Sequence, residues 1–185
     1  MDLNLYQYDE FMSVCLKRRV YSLNQIPVSY EVEYNEADFI YCRTSSMDFS
    51  NHKKLIQQGF NLIDVNVNLK YRFNEENDNY YSKNIRKVSK VDRNMVKSLA
   101  QNSFIYDRFH KDTEISNNMA SNLKKRWVDN FFTGKRGNNL LVSDINDVIA
   151  GFILLIENKK EVIIDLIAVN KDYRKLGVAM NLIKK

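Results

Sequence analysis

Proline is almost missing from this 185-residue chain, with one, and glycine is scarce, with five. Neither a fibrous repeat nor a Pro/Gly-rich disordered chain fits that composition. No apolar run approaches the roughly 18 residues that a bilayer-crossing helix needs. The opening residues MDLNLYQYDE carry acids and tyrosines where a secretory leader needs a basic and then an apolar stretch, so the chain reads as cytoplasmic, with no membrane partner. Cysteine is limited to Cys15 and Cys42, in apolar contexts without a second Cys or His at metal spacing. They read as two buried reduced thiols, and no metal is expected. What is present is 44% hydrophobic and 28% charged residues, enough for one globular domain or a domain plus a fragment.

The net charge of +5 is unevenly placed. Residues 1–85 hold 9 Lys/Arg against 12 Asp/Glu, a balance of −3, whereas residues 86–185 hold 19 against 11, a balance of +8. A basic second half points to a polyanionic partner: nucleic acid, a membrane surface or a phosphorylated small molecule. Nucleic acid is disfavoured, because no helix is dense in Arg and no strand carries an aromatic-rich recognition motif.

Periodicity predicts a helix over Tyr8 to Leu23, with Phe11, Val14, Cys15 and Leu16 at helical spacing, punctuated by Pro27. Strands are predicted at Val28 to Tyr34 and Asp38 to Thr44, then a helix capped by Ser46 and ending at Gly59, then a strand-like stretch from Phe60 to Phe73. The polar run Asn74 to Asn84 is the natural boundary, giving an amino-terminal α/β accessory domain over 1–84 and a second domain over 85–185. The second domain opens with a strand at Ile85 to Val88 and a helix over Val91 to Asn102, followed by a polar loop containing Arg108-Phe109-His110. A longer helix from Ser116 to Phe132 carries Met119, Leu123, Trp127 and Phe131 on one face, read as core, and Gly134 lies where a C-terminal cap belongs. Three antiparallel strands follow at Asn139 to Asp144, Val148 to Glu157 and Glu161 to Val169, joined by short turns.

After the last strand comes NKDYRKLGVAMNLIKK, a basic turn with Gly177 leading into an amphipathic helix. A helix N-terminus presents unpaired N–H groups and partial positive charge, and glycine there admits close approach of phosphate oxygens. Arg174 and Lys175 add full charges suited to a pyrophosphate. On the residues alone, a phosphate cradle and a structural turn with solvated cations are both open.

The run Arg174-Lys175-Leu176-Gly177-Val178-Ala179 resembles Arg-x-x-Gly-x-Ala, the pyrophosphate loop of the GNAT acyltransferases, and it follows Leu166 to Val169, which resembles that family's fourth strand. The predicted order of strand, helix, helix, three antiparallel strands, loop and helix over 85–185 is similar to the family's arrangement. The resemblance implies a mixed, mostly antiparallel α/β (α+β) sheet flanked by helices, with the amino-terminal part as an extension. It implies acetyl-CoA with its pantetheine along Ile167, Ala168 and Val169 and its pyrophosphate on the backbone of Lys175 to Met180, including Leu176, Gly177, Val178 and Ala179. Acetyl transfer would proceed by direct attack of a neutral amine on the thioester. Asp165, on the fourth strand, is the implied candidate for the group that deprotonates the amine.

A second stretch narrows the acceptor. Phe104 to Asp112 (FIYDRFHKD), with Ala120 and Trp127 beyond it, is similar to the Ser-Arg-Phe-His-x-Asp-Pro signature of the TDP-fucosamine acetyltransferases. That implies a nucleotide-linked amino sugar as substrate, with Arg108, His110 and Asp112 at the acceptor side. Asp107 stands where the signature has Ser, and Thr113 where it has Pro. The family's later strands and helix, with the tyrosine that protonates the leaving thiolate, have no counterpart in the residues given. The chain therefore reads as truncated after its third helix, with exposed apolar surface suited to self-association. The alternatives are acetylation of another amine, peptide or lysine, and a non-catalytic CoA-binding module.

Overall fold

The computed structural model describes residues 5–26, 38–72 and 84–185. It is a mixed α/β structure with two sheets flanked by helices, and it divides into two compact units. Residues 1–68 and 111–115 form one, and 69–110 with 116–185 the other.

In the first unit, β1 (Tyr6–Tyr8) pairs antiparallel with β2 (Val20–Leu23), and β2 pairs parallel with β3 (Phe39–Cys42). The helix expected over Tyr8 to Leu23 is confined to α1 (Glu10–Leu16). Asp9 caps it by accepting from the Met12 N–H at 2.9 Å, and Lys17 ends it in the left-handed region at φ 55°. Val20 to Leu23 then becomes the central strand, because two neighbours satisfy its backbone. Helix α2 (Phe49–Gln57) is capped by Asp48 and not by Ser46, and Gly59 follows it at φ 86°. Tyr6, Leu23 and Leu55 form the small core. The predicted strand at Phe60 to Phe73 does not form over its described part, residues 60–72. Val65, Val67, Leu69 and Tyr71 alternate as a strand would, but they and Leu62 are exposed, with no ladder partner among the described residues. The Val28 to Tyr34 strand and Pro27 lie outside the described residues, as does all but the last residue of the Asn74 to Asn84 boundary. Cys15 is buried and Cys42 half-buried, neither in a disulfide.

In the second unit, β4 (Ile85–Lys87), β5 (Asn139–Ile145), β6 (Val148–Glu157) and β7 (Val162–Val169) form one antiparallel sheet in that order. The β5–β6 turn uses Asn146 and Asp147, both at positive φ, which suits a two-residue hairpin. Helices α3 (Arg93–Ser103) and α5 (Asn117–Phe132) bury Val96, Ala100 and Val128 against Leu140, Val142, Phe152, Leu154, Leu166 and Ala168. The other face packs Leu141, Ala150, Ile153 and Leu155 with Val178 and Leu182 of α6 (Val178–Lys184). Strand β6 is thus buried on both faces, which is why it reads as an unbroken apolar run. Its one glycine, Gly151, has a packing reason. A Cβ there would stand 2.9 Å from Val178 Cγ1 and 3.0 Å from the Ala168 carbonyl oxygen, so the missing side chain lets α6 settle onto the sheet. The stretch read as a polar loop holds a short helix, α4 (Arg108–Lys111), which buries Phe109.

Candidate functional site

The second unit gathers the residues singled out from the sequence into two groups. The first is the junction from β7 into α6. Among the described residues β7 is an edge strand, so the N–H and C=O groups on its outer side face no neighbouring strand. Ile167 and Val169 pack on the α6 side of the sheet and Ala168 on the α3/α5 side. The chain then makes a 3-10 turn over Lys171–Tyr173 and runs through Arg174 to Gly177, all four exposed. Arg174 Nε donates to the Val169 carbonyl at 3.3 Å, tying the turn to the strand end. Lys175 and Gly177 both adopt the left-handed region, at φ 64° and 77°. An added Cβ at Gly177 would meet nothing within 4 Å, so what glycine supplies there is backbone conformation. Val178 is buried, Ala179 half-buried, and Leu176 and Met180 exposed.

The second group lies around α4, α5 and β7. Between β6 and β7, Leu155 faces Ile164 and Leu154 faces Leu166, which leaves Asp165 as the extra residue of a bulge. Its carboxylate, 8% exposed, accepts both arms of the Arg136 guanidinium at 2.6 Å and the Trp127 indole N–H at 3.0 Å. Arg136 also lies over the Trp127 ring, 4.3 Å from its centroid. The sequence reading has Asp165 as the candidate base; in the structure its carboxylate is engaged by a guanidinium fork and an indole, an arrangement that anchors Trp127 and Arg136. Trp127 is accordingly both core and part of this cluster.

Lys124 is the residue the sequence reading missed. It is 7% exposed, lies within 5.0 Å of the ring centroids of Phe104, Phe109 and Trp127, and its Nζ is 3.0 Å from Asp107 Oδ2. Burial pulls the Lys124 ammonium down from its ordinary range, outweighing the support it takes from Asp107. Burial also works to raise the Asp107 carboxyl, but hydrogen bonds from His110 and Lys124 prevail and hold it below the usual carboxylate range. A lysine inside the stripe of Ala120, Leu123 and Val128 was the available signal.

Asp107 Oδ1 also accepts from the Phe109 and His110 N–H groups at 3.0 and 3.1 Å and faces His110 Nδ1 at 2.9 Å. The other ring nitrogen, Nε2, is 3.2 Å from Ser121 Oγ on α5. Arg108 is half-buried with its guanidinium 4.5 Å above the Phe109 ring. Arg108, His110, Trp127 and Asp165 thus belong to one cluster. Asp112 belongs to residues 111–115 of the first unit, where it accepts from the Glu114 N–H at 3.0 Å and closes its own turn.

A shallow, open hollow in the first unit, lined by Gln7, Tyr8, Asp9, Glu10, Ser22 and Tyr41, holds none of these residues. Its Asp9 already caps α1 and accepts from the Tyr41 hydroxyl. Among the described residues no group of three or more His, Cys, Asp or Glu could hold a metal, and no helix is long and apolar enough to cross a membrane.

No protein-family model matches the chain, and no curated protein does. Among solved structures it is similar to a crystal structure described as the acetyltransferase from Vibrio fischeri. The identity is 25% over 54% of this chain and 79% of that one, with a TM-score of 0.33.

Proposed function

We propose that the chain is an acetyl-CoA-dependent N-acetyltransferase whose acceptor is the amine of a nucleotide-linked amino sugar. The observation that carries this reading is the β7-to-α6 junction, where the Arg-x-x-Gly-x-Ala sequence falls on the basic exposed turn that follows β7 and on the start of α6. Its glycine takes the positive φ that the turn requires. The fit to acetyl-CoA is chemical: β7 edge amides that face no neighbouring strand among the described residues suit pantetheine, and exposed Arg174 and Lys175 beside the N–H groups of Gly177 to Met180 suit a pyrophosphate.

In this reading residues 85–185 carry the transfer and 1–84 are an accessory domain. Ile167 to Val169 hold the pantetheine arm, Arg174 to Met180 hold the pyrophosphate, and Arg108 and His110 face the acceptor. The amine nitrogen bonds to the thioester carbonyl carbon and loses a proton, and the C–S bond breaks to release CoA as its thiol. The chain's contribution is mostly positioning, together with a route for that proton. Asp165 holds Trp127 and Arg136 in place at the strand bulge.

The test is to incubate the protein with acetyl-CoA and TDP-4-amino-4,6-dideoxygalactose and follow free thiol. Release of thiol with that sugar is expected. Release only with a peptide amine or lysine would move the acceptor class, and none with any amine would overturn the reading.

A further inference from the structure

We propose that Ser121, His110 and Asp107 form a proton relay, in which the acceptor amine passes its proton to the Ser121 hydroxyl, Ser121 passes its own to His110 Nε2, and Asp107 is the positioning residue. The inference rests on the acetyltransferase reading above.

Asp107 is over-determined. Two backbone N–H groups and His110 Nδ1 converge on Oδ1, and the Lys124 ammonium lies on Oδ2. A carboxylate so surrounded is an acceptor, so His110 Nδ1 must be the donor, and the neutral ring carries its lone pair on Nε2. That nitrogen, 3.2 Å from Ser121 Oγ, accepts the hydroxyl proton and leaves the serine oxygen's lone pairs available to a third group. The His110 side chain is 8% exposed whereas Ser121 is half-buried at the surface of α5, so the hydroxyl is the link between the ring and an incoming amine. The imidazolium formed after transfer stays against Asp107, which compensates its charge.

The balance is simple. The amine loses one proton as its N–C bond forms, Ser121 gives one and gains one, and His110 gains one; the C–S bond breaks to release CoA as a thiolate, which takes a proton from water to become the thiol, while His110 returns its proton to water. The charged group against the ring is Asp107, on its own segment; Lys124 of α5 lies on the other oxygen of Asp107 and is in turn influenced by Arg108 and by Asp165 on β7. Asp107 occupies the position where the sugar acetyltransferase signature has Ser, so this carboxylate is a feature of this chain.

Two measurements on the full chain test the relay. The protein has two histidines, so histidine 15N spectra can be assigned with a His52→Gln variant. His110 is expected as the Nδ1–H tautomer, and Asp107→Asn should mix or invert it. In the thiol assay with acetyl-CoA and TDP-4-amino-4,6-dideoxygalactose, His110→Gln should lower kcat about 100-fold with KM changed little. Ser121→Ala should lower kcat in the same direction while leaving the tautomer intact. That variant touches only the outer link and keeps the test open if Asp107→Asn, which strands Lys124, fails to fold. An Nε2–H tautomer in the parent, or kcat retained in both His110→Gln and Ser121→Ala, would overturn the relay while sparing the acetyltransferase reading. A parent that releases no thiol from any amine would overturn both.

Discussion

Gly151→Ala is a small change whose consequence can be worked from distances. The new methyl would stand 2.9 Å from Val178 Cγ1, 3.0 Å from the Ala168 carbonyl oxygen and 3.3 Å from Leu182 Cδ1, where ordinary contacts begin near about 3.4 Å. The carbonyl belongs to the paired strand and cannot retreat, so α6 must lift. Only Val178 and Leu182 of its seven residues are buried, and both are the ones pushed. Overpacking of this kind costs about 2 kcal/mol, which for a chain of this size lowers Tm by roughly 4–8 °C. Circular dichroism melts measure the loss, and amide hydrogen exchange should show α6 protection falling more than that of β5. Pairing the substitution with Val178→Ala removes one of the clashing carbons, so the double variant should be less destabilised than the two singles added together. A Gly151→Ala protein with unchanged Tm and unchanged α6 protection would refute the packing argument.

Three further outcomes follow from the same geometry. Asp92, almost fully buried, accepts two bonds from Arg86 and two from Ser89, so Asp92→Ala should cost about 3 kcal/mol in a denaturant titration. The Arg86 guanidinium holds the Asp92 carboxyl far below the usual carboxylate range. Its contribution is therefore fully present above the unfolded value of about 3.9 and lost as pH falls below it. The parent-minus-variant difference in Tm should shrink over that acid window, and a difference independent of pH would contradict the assignment. Asp165→Asn should loosen Arg136 and Trp127, and because Trp127 is the single tryptophan, its emission should shift with a fall of a few degrees in Tm. Unchanged emission and Tm, with turnover abolished, would contradict the anchoring role and favour Asp165 as the base.

The second half of the fold was legible because its signals are local. Ser116 does cap α5, accepting from the Met119 N–H at 3.3 Å, and the three strands and their turns fall where alternation and the Asn146-Asp147 pair put them. The first half was less legible because Val20 to Leu23 is a strand by virtue of a parallel partner nineteen residues on, as in Val20 opposite Phe39, which no local pattern announces. The stretch from Leu62 to Tyr71 failed in the opposite sense, with the alternation but no partner among the described residues. At the site, the basic turn and its glycine were readable from composition and spacing. The partners of Asp165 were not, since Arg136 lies 29 residues and Trp127 38 residues away in sequence and meet it through the β7 bulge. Lys124 was visible as a charge in an apolar stripe, but its meaning depends on two rings and a carboxylate brought in from the preceding segment, beside Trp127 of its own helix.

The most direct test of the account is calorimetric titration of the protein with CoA. The parent is expected to bind with a one-to-one stoichiometry. Gly177→Val, which forces a β-branched residue into a backbone at φ 77°, should abolish binding, and Arg174→Ala should weaken it with a reduced salt dependence. No heat of binding with the parent, or a Gly177→Val protein that binds CoA as the parent does, would contradict the claim that the β7-to-α6 junction holds the acyl donor.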